Sequence, residues 1–177
     1  MQTNGKALRA LTQGGLIAAM YTVLTVAIAP AAFGGVQLRV SELLTVLPVF
    51  TPAAIPGLAV GCALSNLLGL AMGVNTAGAW DVLIGPLATL AAAVLTYQWR
   101  HIRFKGLPVL ATLPPVLFNA LIIGAELTVV LGSGWDWPLF ALFAAQIALG
   151  QLGACTVGGL LLYTALERTG AANRIFK

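Results

Sequence analysis

The sequence predicts an all-α, polytopic membrane protein with six transmembrane helices and both termini cytoplasmic, and three observations lead there. Hydrophobic residues make up 59% of the 177 positions and charged ones only 8%, with a mean hydropathy of +0.96. That is more apolar surface than a soluble domain of this size can bury. The apolar residues are gathered into runs of bilayer length, rich in Leu, Ala, Val and Gly and without a barrel's alternation. Inside lipid each backbone polar group must be satisfied within the structure, which selects helices. Finally, the basic residues recur where alternate crossings would return to one side.

The first apolar run, Leu8–Ala29, follows Lys6 and Arg9. A charged start before an apolar stretch is shared with signal peptides, but this run is long enough to span, so it is read as a retained first span. The second, Val40–Phe50, is short: about 11 residues at 1.5 Å rise cover roughly 17 Å of a core about 30 Å thick. Length alone makes it a re-entrant element. Ala53–Met72, Trp80–Trp99, Leu107–Leu131 and Leu139–Leu166 complete the set, separated by turn-prone stretches such as Ala32-Phe33-Gly34-Gly35 and Gly132-Ser133-Gly134-Trp135.

Charge decides the second segment. Lys6 and Arg9 precede span one, Arg100, Arg103 and Lys105 follow span four, and Arg168, Arg174 and Lys177 follow span six. These eight of nine basic residues share a side only if the second segment crosses. Pro48, Pro52 and Pro56 then form a broken inner turn. No separate soluble domain fits, and residues 1–177 are read as one membrane domain. His101, in the basic loop, reads as solvated. Cys62 and Cys155, both within apolar runs, read as small buried hydrophobes rather than a disulfide or metal pair.

The polar residues inside the membrane concentrate in the outer half. Gln37, Arg39, Ser41 and Glu42 open span two, Asn66 lies near the outer end of span three, and Asp81 begins span four. Glu126 lies about five residues inside span five, Asn119 two turns below it, and Gln146 about 12 Å deep in span six. An ionised side chain at membrane depth costs about 2.5–3.5 kcal/mol or more, so such residues face the interior and mark a solute path or an ion pair. Two arrangements fit. In one, Arg39 pairs with Glu42 at i,i+3 or with Glu126, while Asn119 and Gln146 join helices. In the other, the set lines an acidic cavity, because one Arg cannot neutralise Glu42, Glu126 and Asp81 together. Trp80, Trp135 and Trp137 read either as an interfacial belt or, for Trp135 in its Gly-rich turn, as a plate stacking on a flat heterocycle, with Ala31–Leu38 as a gate.

Gly14, Ala18 and Thr22 recur every four residues in span one, as do Gly15 and Ala19. Such a stripe lets another helix approach closely, whether from this chain or a partner. No Gly-x-x-x-x-Gly-Lys-Ser/Thr loop is present, so active transport would draw on a partner for ATP. No metal-ligand spacing and no nucleophile beside a base point to an enzyme. A self-sufficient carrier and a non-transporting scaffold are the competing classes.

The motifs Gly14-Gly15-Leu16-Ile17-Ala18-Ala19-Met20-Tyr21, Gln37-Leu38-Arg39-Val40-Ser41-Glu42, Phe50-Thr51-Pro52-Ala53-Ala54-Ile55-Pro56-Gly57-Leu58, Pro114-Pro115-Val116-Leu117-Phe118-Asn119-Ala120 and Gly124-Ala125-Glu126 resemble, in order and over nearly the full chain, the QueT family of queuosine-precursor transporters. These are S components, the substrate-capturing subunits of energy-coupling factor (ECF) transporters. The resemblance implies capture of a 7-deazaguanine derivative at the outer face. It further implies docking on a transmembrane T component with two cytoplasmic ATPases, which use the ATP. The family's Ala-x-x-x-Ala docking pattern stands here as Gly14-x-x-x-Ala18 and Gly15-x-x-x-Ala19. For such a ligand Glu126 is the expected acceptor of two parallel N–H donors. Asn119 and Gln146 would read the ring's carbonyl and pyrrole N–H, Asp81 or Glu42 would meet an aminomethyl cation, and Arg39 would orient an acid or close the gate.

Overall fold

The computed structural model describes residues 2–34, 37–132 and 134–176. Within them the chain is helical throughout, with no β-strand beyond an isolated bridge between Phe104 and Leu107. The elements are α1 (Gln2–Ala27), α2 (Ala29–Ala32), α3 (Val40–Val49), α4 (Ala54–Ala71), α5 (Asp81–Gln98), α6 (Leu110–Leu131), α7 (Trp137–Arg168) and α8 (Ala171–Phe176). Five of these, α1, α4, α5, α6 and α7, are long and apolar enough to cross a membrane. Of the expected Ala31–Leu38 gate, residues 35 and 36 lie outside the described residues, as do Ser133 and Lys177.

The second apolar segment departs from the expectation in kind. Val40–Val49 is a 3₁₀ helix, whose rise of about 2.0 Å stretches ten residues over roughly 20 Å. Its course can be read from its contacts with α1. Ser41 bonds Thr25 at 2.6 Å, Glu42 bonds Tyr21 at 2.5 Å, and Thr51, just past its end, bonds Gln13 at 3.2 Å. The segment therefore runs antiparallel to α1 from the level of residue 25 to that of residue 13, about 18 Å along the α1 axis. Eight of its ten residues are buried, so it sits inside the bundle and has little lipid to match. Pro48, which lacks an N–H, falls in its last turn.

The helices close into a ring: α1 packs on α4, α4 on α5, α5 on α6, α6 on α7, and α7 returns to α3, which rests on α1 and also reaches α5. Small residues set the closest approach. A Cβ on Gly57 would lie 2.6 Å from the Gly14 carbonyl oxygen, and one on Gly61 would lie 2.8 Å from Tyr21 Cβ and 2.9 Å from the Ala18 carbonyl oxygen. Thr22 Oγ1 adds a bond to the Gly61 carbonyl at 3.2 Å. The Gly14, Ala18 and Thr22 stripe is thus taken up within the chain. Buried Ile17, Tyr21, Leu44, Leu47, Leu58 and Cys62 fill the space behind this contact.

Both chain ends lie at one end of the bundle. Arg9 Nη2 and Gln13 Nε2 donate to the Ile175 carbonyl at 3.1 and 2.6 Å, which docks α8 against the start of α1. Phe50 stacks between Tyr163 and Phe176 at centroid distances of 5.1 and 5.6 Å, and the Arg103 guanidinium lies 5.1 Å over Tyr163. The basic loop after α5 and the two termini therefore share a face. Trp135, Trp137 and Phe140 cluster at the other end.

Candidate functional site

The far end of the ring is organised by a buried ion pair. Arg39, just ahead of α3, places Nη2 3.0 Å from Asp81 Oδ2 at the start of α5, with the two side chains 4% and 0% exposed. Its Nε donates to the Ala32 carbonyl at 3.2 Å, and its guanidinium lies 5.1 Å over the Phe33 ring. Asn75 donates to the same Asp81 oxygen at 3.1 Å, and Asn66 Nδ2 donates to the Asp81 backbone carbonyl at 2.6 Å. Gly85 makes this cluster possible, since a Cβ there would lie 2.5 Å from Asn66 Nδ2 and 2.6 Å from Asp81 Oδ1. Neither the i,i+3 pairing of Arg39 with Glu42 nor its pairing with Glu126 forms. The partner is Asp81, because the chain turns at Arg39 and aims the guanidinium across the ring instead of along α3.

Below this pair the walls converge on a polar chamber that is packed tight, with no open volume, and is lined by Gln37, Arg39, Glu42, Gly85, Thr89, Asn119, Ile123 and Gln151. Four helical elements and the first loop contribute. Glu42, from α3, accepts the Tyr21 hydroxyl on Oε1 at 2.5 Å and meets the Cys155 thiol on Oε2 at 3.9 Å. Cys155 in turn lies 2.8 Å from Gln151 Oε1, so a polar chain runs from α1 through α3 to α7. Gln37 is held at φ +47°, a left-handed conformation uncommon for a residue with a side chain, and its buried Nε2 has no hydrogen-bond partner. Asn119 opens a π-helical stretch, Asn119–Ile123, and Gln151 immediately precedes another, Leu152–Gly158. Each π turn inserts a residue into the helix, and both flank the chamber.

The structure brings together Arg39, Glu42 and Asn119 from the expected set, with Asp81 and Asn66 bracing them from behind. It separates the others. Glu126 is buried, but it lines a different cavity: a groove of about 660 Å³ between α5 and α6 whose other walls are Trp80, Ile84, Leu121, Ile122, Ala125, Val129 and Val130. Both of its carboxylate oxygens are buried without a partner. The groove arises because α5 packs on α6 along Leu113–Ile123 and parts from it beyond Gly124. It is larger than the chamber but apolar apart from Glu126 and the indole N–H of Trp80, whereas the chamber gathers both signs of charge and three amides. Gln146 is half-buried and off the chamber wall. Five residues in a helix turn by about 140° beyond one full revolution, which is why Gln151 and not Gln146 faces inward. Trp135 is 48% exposed and packs on Trp137 and Phe140, away from the chamber.

Sequence reasoning missed Tyr21, Thr89 and Gln151. Tyr21 sits in an apolar run, where a Tyr has no periodicity of its own to mark it. Gln151 escaped because α7 is apolar on all sides, so its sequence does not mark which face turns inward. On α1, Gly15 and Ala19 are exposed; Gly15, with Gly14 and Ala18, borders a shallow groove of about 210 Å³ that Ala10, Leu11, Pro56, Gly57 and Val60 complete, and Ala19 lies outside its lining.

An apolar helical ring that encloses charged and amide groups defines a multi-pass membrane protein built around a polar interior, and such groups at membrane depth mark solute-handling sites. The sequence model of the QueT transporter family matches residues 11–168. The chain belongs to the QueT transporter family, a family of transporters and not of enzymes. No curated protein and no solved structure gives a match.

Proposed function

We propose that the chain is the substrate-binding S component of an ATP-driven ECF uptake transporter in the plasma membrane of a prokaryote, and that it captures a 7-deazaguanine derivative at its outer face. The observation that carries this is the chamber: an acid, a paired guanidinium and three amides enclosed in an otherwise apolar ring. A guanine-like ring presents N–H donors beside a carbonyl acceptor, and that set of side chains supplies the complementary acceptors and donors. The chamber has no open volume, so a ligand is admitted only when a wall moves away. The first loop, which carries Gln37 in its left-handed conformation, is that wall.

In this reading α3 makes the sixth crossing and the shared basic face of the termini and the Arg103 loop lies in the cytoplasm, as the distribution of Lys and Arg favours. Gly15, exposed on the shallow groove of α1 and α4, and Ala19, exposed one turn further along α1, receive a helix of the T component. Gly14, Ala18 and Thr22 serve that contact only indirectly, by holding α4 at its edge. Two cytoplasmic ATPases use the ATP, and the chain itself needs no cofactor. Glu126, Gln146 and Trp135 stand outside the chamber, and their part in binding is confined to access from the outer face.

The test is calorimetric titration of the purified chain, without partners, with 7-aminomethyl-7-deazaguanine. Saturable binding that Asn119→Ala weakens by about ten-fold or more, as expected for loss of buried hydrogen bonds, supports the reading. A folded preparation that binds no 7-deazapurine returns the chain to the carrier or scaffold classes.

A further inference from the structure

We infer that Glu42, positioned by Tyr21, is the residue that selects a ring bearing two adjacent parallel N–H donors, and that Glu126 does not share this role. The inference rests on the proposal that the chamber binds a 7-deazaguanine, and it assigns the specificity of that site to one carboxylate out of two.

Charge comes first. The Arg39 guanidinium is committed to Asp81 at 3.0 Å, so Glu42, 2% exposed, faces the chamber without an ion pair. A carboxylate offers about four acceptor positions. Tyr21 fills one on Oε1 at 2.5 Å, and Cys155 Sγ lies 3.9 Å from Oε2 but has a single S–H, which the shorter contact of 2.8 Å commits to Gln151 Oε1. Acceptor capacity therefore remains on both oxygens of a residue that lines the chamber. Two parallel N–H groups, such as a ring amide N–H beside an exocyclic amine, meet two carboxylate oxygens in a bidentate fashion.

The neighbours supply the rest of the recognition. Cys155 occupies Gln151 Oε1 at 2.8 Å, which leaves the Gln151 amine end as a donor. Gln37 Nε2 is a second donor, buried and unpartnered, and Asn119 offers a donor and an acceptor together. Gly85 and Ile123 complete the lining with apolar surface against which a flat ring can lie once the walls part. Glu126 has two bare oxygens, yet its groove is otherwise almost wholly apolar. It can attract an N–H donor, but the other polar group of that lining is the single indole N–H of Trp80, whereas the chamber sets two donors and an amide that both donates and accepts around Glu42.

Tyr21 is a positioning residue. Its ring is fully buried, and its Cβ is pinned against Gly61 so closely that no side chain fits between them. The hydroxyl is thereby held in place and fixes the carboxylate plane.

The experiment compares 7-aminomethyl-7-deazaguanine with its analogue lacking the 2-amino group, titrated calorimetrically on the purified full chain. Wild type should prefer the complete ring by about ten-fold or more, the loss expected when a charge-assisted hydrogen bond is removed. Glu42→Gln should bring the two compounds to within about two-fold, because the amide turns one acceptor into a donor. Glu126→Gln should keep the wild-type ratio. Tyr21→Phe should weaken the complete ring more than the analogue, whereas a merely structural loss would lower both alike; it also carries the test where Glu42→Gln does not fold. Loss of the preference in Glu126→Gln, or its survival in both Glu42→Gln and Tyr21→Phe, overturns the inference. Binding of neither compound to wild type overturns the transport proposal itself, and the inference falls with it.

Discussion

At the residue scale, the pair of Arg39 and Asp81 fixes where the first loop, α3 and α5 meet. Both side chains are almost wholly buried, and removing one partner leaves the other charge uncompensated, at a cost of about 3–5 kcal/mol. Arg39→Gln and Asp81→Asn should each lower the thermal midpoint in detergent strongly, while the double change Arg39→Leu with Asp81→Leu should lose less than the sum of the two. Additive losses would mean that the ions act independently. Gln37 tests a different point. Its φ of +47° suits glycine, so Gln37→Gly should hold or raise the thermal midpoint while weakening ligand binding. A variant that lost stability and kept full affinity would place Gln37 in the scaffold and not at the ligand.

At the element scale, the contact between α1 and α4 depends on the absence of side chains at Gly57 and Gly61. Gly61→Leu should overpack this seam at a cost of about 1–3 kcal/mol and, by pushing Tyr21 away from Glu42, weaken ligand binding as well. A loss of stability with unchanged affinity would show that Glu42 holds its place without α1. The opposite edge of α1 separates two functions: Gly15 is exposed on the groove, and a side chain added there would meet no atom within 4 Å. Gly15→Trp should therefore leave ligand affinity of the isolated chain within about two-fold of wild type, while uptake by cells expressing all subunits falls by about ten-fold or more. Parallel loss of both would argue that the groove is no docking surface. The two π turns matter at this scale too, because each changes the face on which the next residues fall.

At the scale of the whole molecule, one end of the ring carries both termini and the Arg103 loop, and the other carries the Trp cluster and the ion pair. Single cysteines introduced at Lys6, Arg103 and Trp135 should report this with a membrane-impermeant thiol reagent on intact cells. Cys62 and Cys155 are buried and add little background. Labelling of position 135 alone is expected. Labelling of position 103 from outside would mean that α3 does not cross and would reverse the order of the later helices.

Much of this was legible from residues alone. The solvent is set by composition, and five of the spans follow from run length, because lipid demands continuous apolar helix wherever the chain meets it. The identity of Arg39, Glu42 and Asn119 as interior groups followed likewise from the cost of a polar group at depth. What the sequence could not decide were the partnerships across the ring. Arg39 had three acids within its reach, and only the turn ahead of α3 chose Asp81. Glu126 and Asn119 are seven residues apart and nominally share a face, yet a π turn between them and the parting of α5 from α6 sent one to the groove and the other to the chamber. Gln146 gave way to Gln151 because packing chose the face of α7 that turns inward, and five residues of regular helix separate the two by about 140°. A helical period assigns faces only while the helix stays regular, and pairing depends on distances that no one-dimensional spacing contains. Composition and periodicity therefore determined the medium, the helices and most of the polar cast, and tertiary packing alone decided which of those groups meet.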